Sequence, residues 1–177
     1  MPSAFSHAFA AYVLGKTAKR ENLVKLIFLG ALCAVIPDLD AIGFYYGVPY
    51  DSLWGHRGIT HSIFFSFLLA FIVVFVFYKR EKPFTKTYFS LLFYFFIATL
   101  SHPLQDMFTN GGLGVALFAP FTNERYFFPC HPIRVSPISV GGFFTSRGWE
   151  VFKSEFIWVW IPGLILLLIV QKIKKGK

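Results

Sequence analysis

Apolar residues run through this chain in blocks, and the breaks between blocks are basic or carry Gly, Pro, His and Asp. Read at helical spacing, the blocks predict helices over about Ser6–Lys16, Leu23–Pro37, Thr60–Tyr78, Thr87–Ser101 and Glu155–Gln171. Crossing a hydrocarbon core about 30 Å thick takes roughly 20 apolar residues at about 1.5 Å each. Only the third and fifth segments approach that length. A helix that stops early in a bilayer is tolerated where its freed backbone groups line a wet, protein-enclosed cavity, so the short segments point to a site sunk below the membrane surface. The connection from Pro103 to about Ser154 is too long for a plain loop. Its Phe118, Phe121, Tyr126, Phe127, Phe128, Phe143, Phe144 and Trp149 argue against disorder, so it is expected to fold over the site or lie in the interface.

Composition moves the picture from water to lipid. Hydrophobic residues make up 55% and charged residues 15%, with a mean hydropathy of +0.58, against about 25% charged in soluble domains. The 177 residues are read as one membrane-embedded domain, 1–177, with 103–154 as its site-side loop region. The fold class expected is all-α: an integral membrane bundle of about four to five helices. Two cysteines, Cys33 and Cys130, make no disulfide framework. The N-terminal apolar stretch has no basic residues ahead of it and contains His7, so it is read as a retained helix, not a cleaved signal.

The formal charge of +8 is informative through its placement. Basic residues cluster at Lys16, Lys19, Arg20 and Lys25, at Lys79, Arg80, Lys82 and Lys86, and at Lys172, Lys174, Lys175 and Lys177. Each cluster borders an apolar run, which is the positive-inside signal of a multi-pass protein of the bacterial cytoplasmic membrane. A nucleic-acid surface would gather these charges on one patch with polar or aromatic readers, so nucleic acid is not an expected partner. Threading the chain with the basic loops and C-terminus cytoplasmic sends all five histidines, His7, His56, His61, His102 and His131, to the other side. Most of the acidic residues follow them, Asp38, Asp40, Asp51, Asp106, Glu124, Glu150 and Glu155. A polar site at the extracytoplasmic end of the bundle is the consequence.

Three strings at helix ends carry the chemistry: Pro37-Asp38-Leu39-Asp40, Gly55-His56-Arg57-Gly58-Ile59-Thr60-His61-Ser62, and Ser101-His102-Pro103-Leu104-Gln105-Asp106. Ionisable groups at membrane depth cost roughly 2.5 to 3.5 kcal/mol each unless compensated, and a divalent cation would compensate several at once. Imidazole with carboxylate suits zinc first, then manganese or iron, with one to three ions expected. The expected ligands are His7, Asp38, Asp40, His56, His61, His102 and Asp106. Asp38 and Asp40 are expected on an extended segment whose alternate side chains point the same way. His61 is placed in the first turn of its helix, and His102 and Asp106 share a face if the helix survives Pro103. Beside this stands the plain reading of a His or Asp near a helix end as a cap or interfacial group. Arg57, wedged among the ligands, and then Arg125 are expected to bind a substrate oxyanion. Arg134 and Arg147 read as headgroup contacts or loop ion pairs, and His131 as a ligand, a proton donor or an ordinary loop residue.

On Ser6-His7, Pro37 to Asp40, Gly55 to Ser62, Ser101-His102 with Asp106, and Ser136-Pro137, the chain resembles the YdjM-like family of membrane-bound, metal-dependent hydrolases. A fainter likeness is to zinc-dependent phospholipase C and the single-strand nucleases of the same helical fold, whose ligand order is matched by His7, Asp38, His61, His102 and Asp106. The later His and Glu ligands of that fold have no match here. These likenesses imply a membrane-bound hydrolase that cleaves a phosphoester in a lipid or lipid-linked substrate by metal-activated water, with Asp38 or Asp40 orienting or deprotonating the water. A metal carrier or sensor built from the same ligands is the alternative. It would need ionisable groups across the membrane, which the basic-side halves of the helices lack.

Overall fold

The computed structural model describes residues 1–18, 22–137 and 140–175. Helix α1 covers Ala4–Thr17 and α2 Leu23–Val35, which runs straight into a 3-10 helix over Ile36–Tyr46. A 3-10 turn, Ile59–His61, leads into α3, Ile63–Phe77, followed by α4, Lys86–Met107. The chain then crosses the site end to α5, Val140–Phe143, and α6, Ser146–Glu155. A π-helical turn, Phe156–Trp160, joins α6 to α7, Ile161–Lys175.

Side-chain caps set several starts: Asn22 accepts from the Lys25 amide, Ser62 from Phe65 and Thr85 from Tyr88. The spans differ from those predicted. Leu23–Tyr46, Lys86–Met107 and Ser146–Lys175 are long and apolar enough to cross a membrane, whereas α3 has 15 residues and falls short. The second span gains length because Pro37 sits at the start of the 3-10 segment, where a missing N–H does little harm. The fourth gains it because α4 continues through Pro103 to Met107, its last turns held by the burial of His102, Pro103, Asp106 and Met107. Tertiary packing there overrides the bias against helix before proline.

One half of the bundle is an apolar core in which Leu26, Leu29 and Cys33 of α2 meet Ala70, Val73 and Val74 of α3 and Leu91, Tyr94 and Phe95 of α4. Lipid tails are as apolar as these side chains, so close packing, not escape from lipid, holds the helices together. Small residues allow the approach: Ala11, Ala34 and Ala98 form a second cluster between α1, α2 and α4. A side chain at Gly30 would collide with the Tyr94 hydroxyl, which donates to the Ala11 carbonyl at 3.2 Å.

The described members of the basic clusters converge at this apolar end, Lys19, Arg20 and Lys177 lying outside the described residues. Lys174 Nζ donates to the Lys16 carbonyl at 2.8 Å, and Lys25 Nζ to the Phe77 carbonyl at 2.5 Å. At the opposite end the long connection is folded back on the site: Ala116 N donates to Arg57 O at 2.9 Å and Ile63 N to Leu117 O at 3.0 Å. Glu155, buried at the end of α6, ties the N-terminal segment down by accepting from Ser3 N at 2.5 Å and from the Ser3 and Ser6 hydroxyls at 2.6 Å each.

Candidate metal centre

His102 lies on the face of α4 that turns inward, and its Nδ1 is 2.7 Å from the Ala34 carbonyl of α2. A carbonyl only accepts, so Nδ1 carries the hydrogen and Nε2 is left as a lone pair. His61, at the end of its 3-10 turn, has Nδ1 3.1 Å from Asp40 Oδ2. The Thr60 hydroxyl donates to that same oxygen at 2.5 Å, and Asp40 fixes the tautomer of His61 as the carbonyl does for His102. The two Nε2 atoms then face each other at 3.0 Å, and a neutral His61 would turn both lone pairs to the space between them.

Two carboxylates close on the same point. Asp38 Oδ1 is 3.3 Å from His102 Nε2 and 3.6 Å from His61 Nε2, and Asp106 Oδ2 is 3.5 Å from His61 Nε2 and 4.0 Å from His102 Nε2. Tetrahedral ligands with bonds of about 2.0 to 2.1 Å stand about 3.3 Å apart, close to these separations. Both oxygens of Asp38 are buried with no hydrogen-bond partner, and Asp106, equally buried, is matched only by its ion pairs. An unmatched buried acceptor costs about 1 to 3 kcal/mol, so two imidazole nitrogens and two carboxylates on one point fit a cation. Asp38, His61, His102 and Asp106 can hold a metal ion.

The remaining predicted ligands surround these four. Asp40, His56 and His61 form a second group that can hold an ion. Its geometry is different, because Asp40 already accepts from His56 Nδ1 at 2.6 Å, Arg57 N at 3.1 Å and Thr60 Oγ1 at 2.5 Å. His7 stacks on His102, ring centroids 3.7 Å apart, with Nε2 3.6 Å from Asp106 Oδ1. All seven residues therefore meet at one end of the bundle, although His131 lies apart and exposed, against Phe127.

Asp38 and Asp40 do not share a direction as an extended segment would require. Their segment is a 3-10 helix, where residues two apart diverge, so Asp38 faces His102 while Asp40 faces His56 and Thr60. Arg57 also differs from expectation. Its side chain is buried, Nε pairs with Asp106 Oδ2 at 3.0 Å, and its other nitrogens donate to Gly111 O at 2.8 Å and Thr109 Oγ1 at 3.0 Å. Such a guanidinium positions Asp106 and has no free fork for a substrate. Arg125 is likewise committed to the carbonyls of His56, Tyr50 and Ser52, which pins the 50–58 loop. The partners Ala34 O, Thr60 and Thr109 were not foreseen. A backbone carbonyl leaves no trace in sequence, but Thr60 beside His61 was a legible hydroxyl.

Burial alone would lower the pKa of His61, but the adjacent carboxylates of Asp106, Asp38 and Asp40 outweigh it and raise the value well above the ordinary one. Without a cation the carboxylates thus hold a proton on His61. With one, the proton is displaced, so binding is coupled to proton release.

The fold and site define a helical membrane protein with a His/Asp cluster able to hold a metal. Residues 1–177 match the family described as YdjM inner membrane protein, and the chain belongs to that family. It is 34% identical over 168 residues to the inner membrane protein YbcI of Escherichia coli (strain K12), an alignment covering 94% of this chain and 95% of that protein. No solved structure matches it.

Proposed function

We propose that this protein is a membrane-embedded, metal-dependent hydrolase that cleaves a phosphoester in a lipid or lipid-linked substrate. The observation that carries the reading is the meeting of the His61 and His102 Nε2 atoms with the buried carboxylates of Asp38 and Asp106. Two nitrogens and two oxygens in tetrahedral spacing favour zinc, with manganese or iron as the alternatives. A cation in this setting supplies Lewis acidity, lowering the pKa of water toward about 7 and polarising a phosphoryl oxygen.

The chain's own residues divide the remaining work. Asp40 and the Ala34 carbonyl orient His61 and His102, and Arg57 holds Asp106 in place. Asp38 keeps an oxygen free of any donor and is suited to orient or deprotonate the attacking water. A carrier would need ionisable groups along a path, and the buried cluster between the centre and the basic end is apolar from Leu26 to Phe95. By the positive-inside rule the basic end faces the cytoplasm and the centre faces outward.

The test is to purify the protein in detergent, count its metals, and assay lipid phosphoesters with and without chelator. Chelator-sensitive turnover that disappears in His61→Ala and His102→Ala supports the reading. Normal metal content with no turnover on any phosphoester replaces it with a carrier or sensor.

A further inference from the structure

Next to the candidate metal centre lies a cavity of about 470 Å³, whose wall includes Tyr50, His56, Arg57, Gly112, Ser136 and Arg147. Its volume is in the range of small-ligand sites, roughly 300 to 1,000 Å³. The cavity backs directly onto the ligand cluster: Arg57 Nε is 3.0 Å from Asp106, and His56 Nδ1 is 2.6 Å from the Asp40 carboxylate that orients His61. The charge of its wall is one-sided. Two arginines and a histidine line it, and no acidic side chain among the described residues does. The Asp38 and Asp106 carboxylates stand beside His61 and His102 instead.

The wall is built, not incidental. Arg57, His56 and Ser136 are all buried. Gly112 has φ +85°, a conformation that suits glycine, and a Cβ there would reach within 3.0 Å of Arg57 Nη1 and 2.5 Å of the Tyr50 hydroxyl. Glycine thus leaves the guanidinium and the phenol room at that wall. Arg147, in the first turn of α6, is exposed and has no hydrogen-bond or ion-pair partner among the described residues. An unpaired arginine on a wall whose other charged side chain is also cationic is suited to a phosphate group, which its planar fork can grip.

We infer that this cavity binds the anionic, phosphate-bearing part of the substrate, with Arg147 as the recognising side chain and Arg57, His56 and Tyr50 as its fixed wall. The substrate class follows from the proposed phosphoester chemistry, but the binding itself stands on the cavity. Sequence placed Arg147 among loop ion pairs or headgroup contacts; its place on this wall gives it a ligand.

Calorimetric titration of inorganic phosphate into the full chain in zwitterionic detergent tests this. Binding is expected to be saturable, about tenfold or more weaker in Arg147→Ala, and only partly restored in Arg147→Lys, which keeps the charge but loses the bidentate fork. A second arm uses short-chain phosphatidate. Tighter binding than inorganic phosphate assigns the site to a lipid headgroup, and equal or weaker binding to a soluble phosphate ester; either requires the same dependence on Arg147. Equal phosphate binding by the wild type and Arg147→Ala, or none by either, overturns the inference. Each titration is repeated after chelation with metal content measured. Arg147-dependent binding by a protein that holds no metal leaves the cavity and removes the metal reading. Arg147-independent binding by a metal-loaded protein does the reverse.

Discussion

His61 and His102 each give Nδ1 to a fixed acceptor, and that makes their Nε2 atoms ligands in waiting. Asp40 acts through His61, so Asp40→Asn is expected to weaken metal affinity by roughly 10- to 100-fold with the fold retained, the usual scale for a residue that orients a ligand. Asp38→Asn, which removes a ligand carboxylate, is expected to cost more, and competition against a chelator dye ranks the two. Arg57 carries a structural charge. Arg57→Met leaves Asp106 buried beside no guanidinium and is expected to destabilise the metal-free protein by about 3 to 5 kcal/mol, read as a lower Tm. The pH behaviour follows from His61, whose pKa in the folded, metal-free protein lies above its unfolded value. Its contribution to stability is complete below about 6.5 and is lost as pH rises through the folded value. Metal affinity moves the other way over that window, since the cation requires the neutral ring. Chelated and loaded samples melted across pH separate the two trends.

At the scale of elements, the site depends on where helices end and what continues past the end. The apolar blocks made the helices legible, but their ends were not, because Pro37 and Pro103 read as stops and neither is one. At Pro37 the chain tightens to a 3-10 helix, which sends Asp38 and Asp40 in different directions and separates ligand from orienting residue. At Pro103 buried contacts carry α4 on, which keeps His102 and Asp106 on one face. Sequence sent the ligand candidates to one end of the bundle, where the structure has them, yet it had no means of telling that Asp38 faces His102 while Asp40 faces His56 and Thr60. Glu155 was legible only as a site-side acid. In the structure it fastens α1, and so His7, to the last span through Ser3 and Ser6. Glu155→Ala leaves those donors unmatched, and a loss of about 1 to 3 kcal/mol is expected, with faster proteolysis near the N-terminus as its signature.

The whole molecule is two-faced, with lysines gathered at one end of an apolar bundle and the His/Asp cluster under a folded loop at the other. That asymmetry was readable in charge placement before any coordinates, because basic clusters and histidines alternate along the chain and each span reverses direction. It predicts an orientation. Cys130 is exposed at the site end and Cys33 is buried in the core, so a membrane-impermeant thiol reagent is expected to label Cys130 from outside intact spheroplasts. Labelling that requires lysis would put the centre on the cytoplasmic side. A second expectation is that the buried cluster works as a unit around a bound ion. The most direct test is metal analysis by mass spectrometry of protein purified under metal-replete conditions, wild type beside the His61→Ala, His102→Ala double variant. The account predicts a bound divalent ion in the wild type and near-complete loss in a double variant that still folds; a metal-free wild type, or equal metal in both, contradicts it.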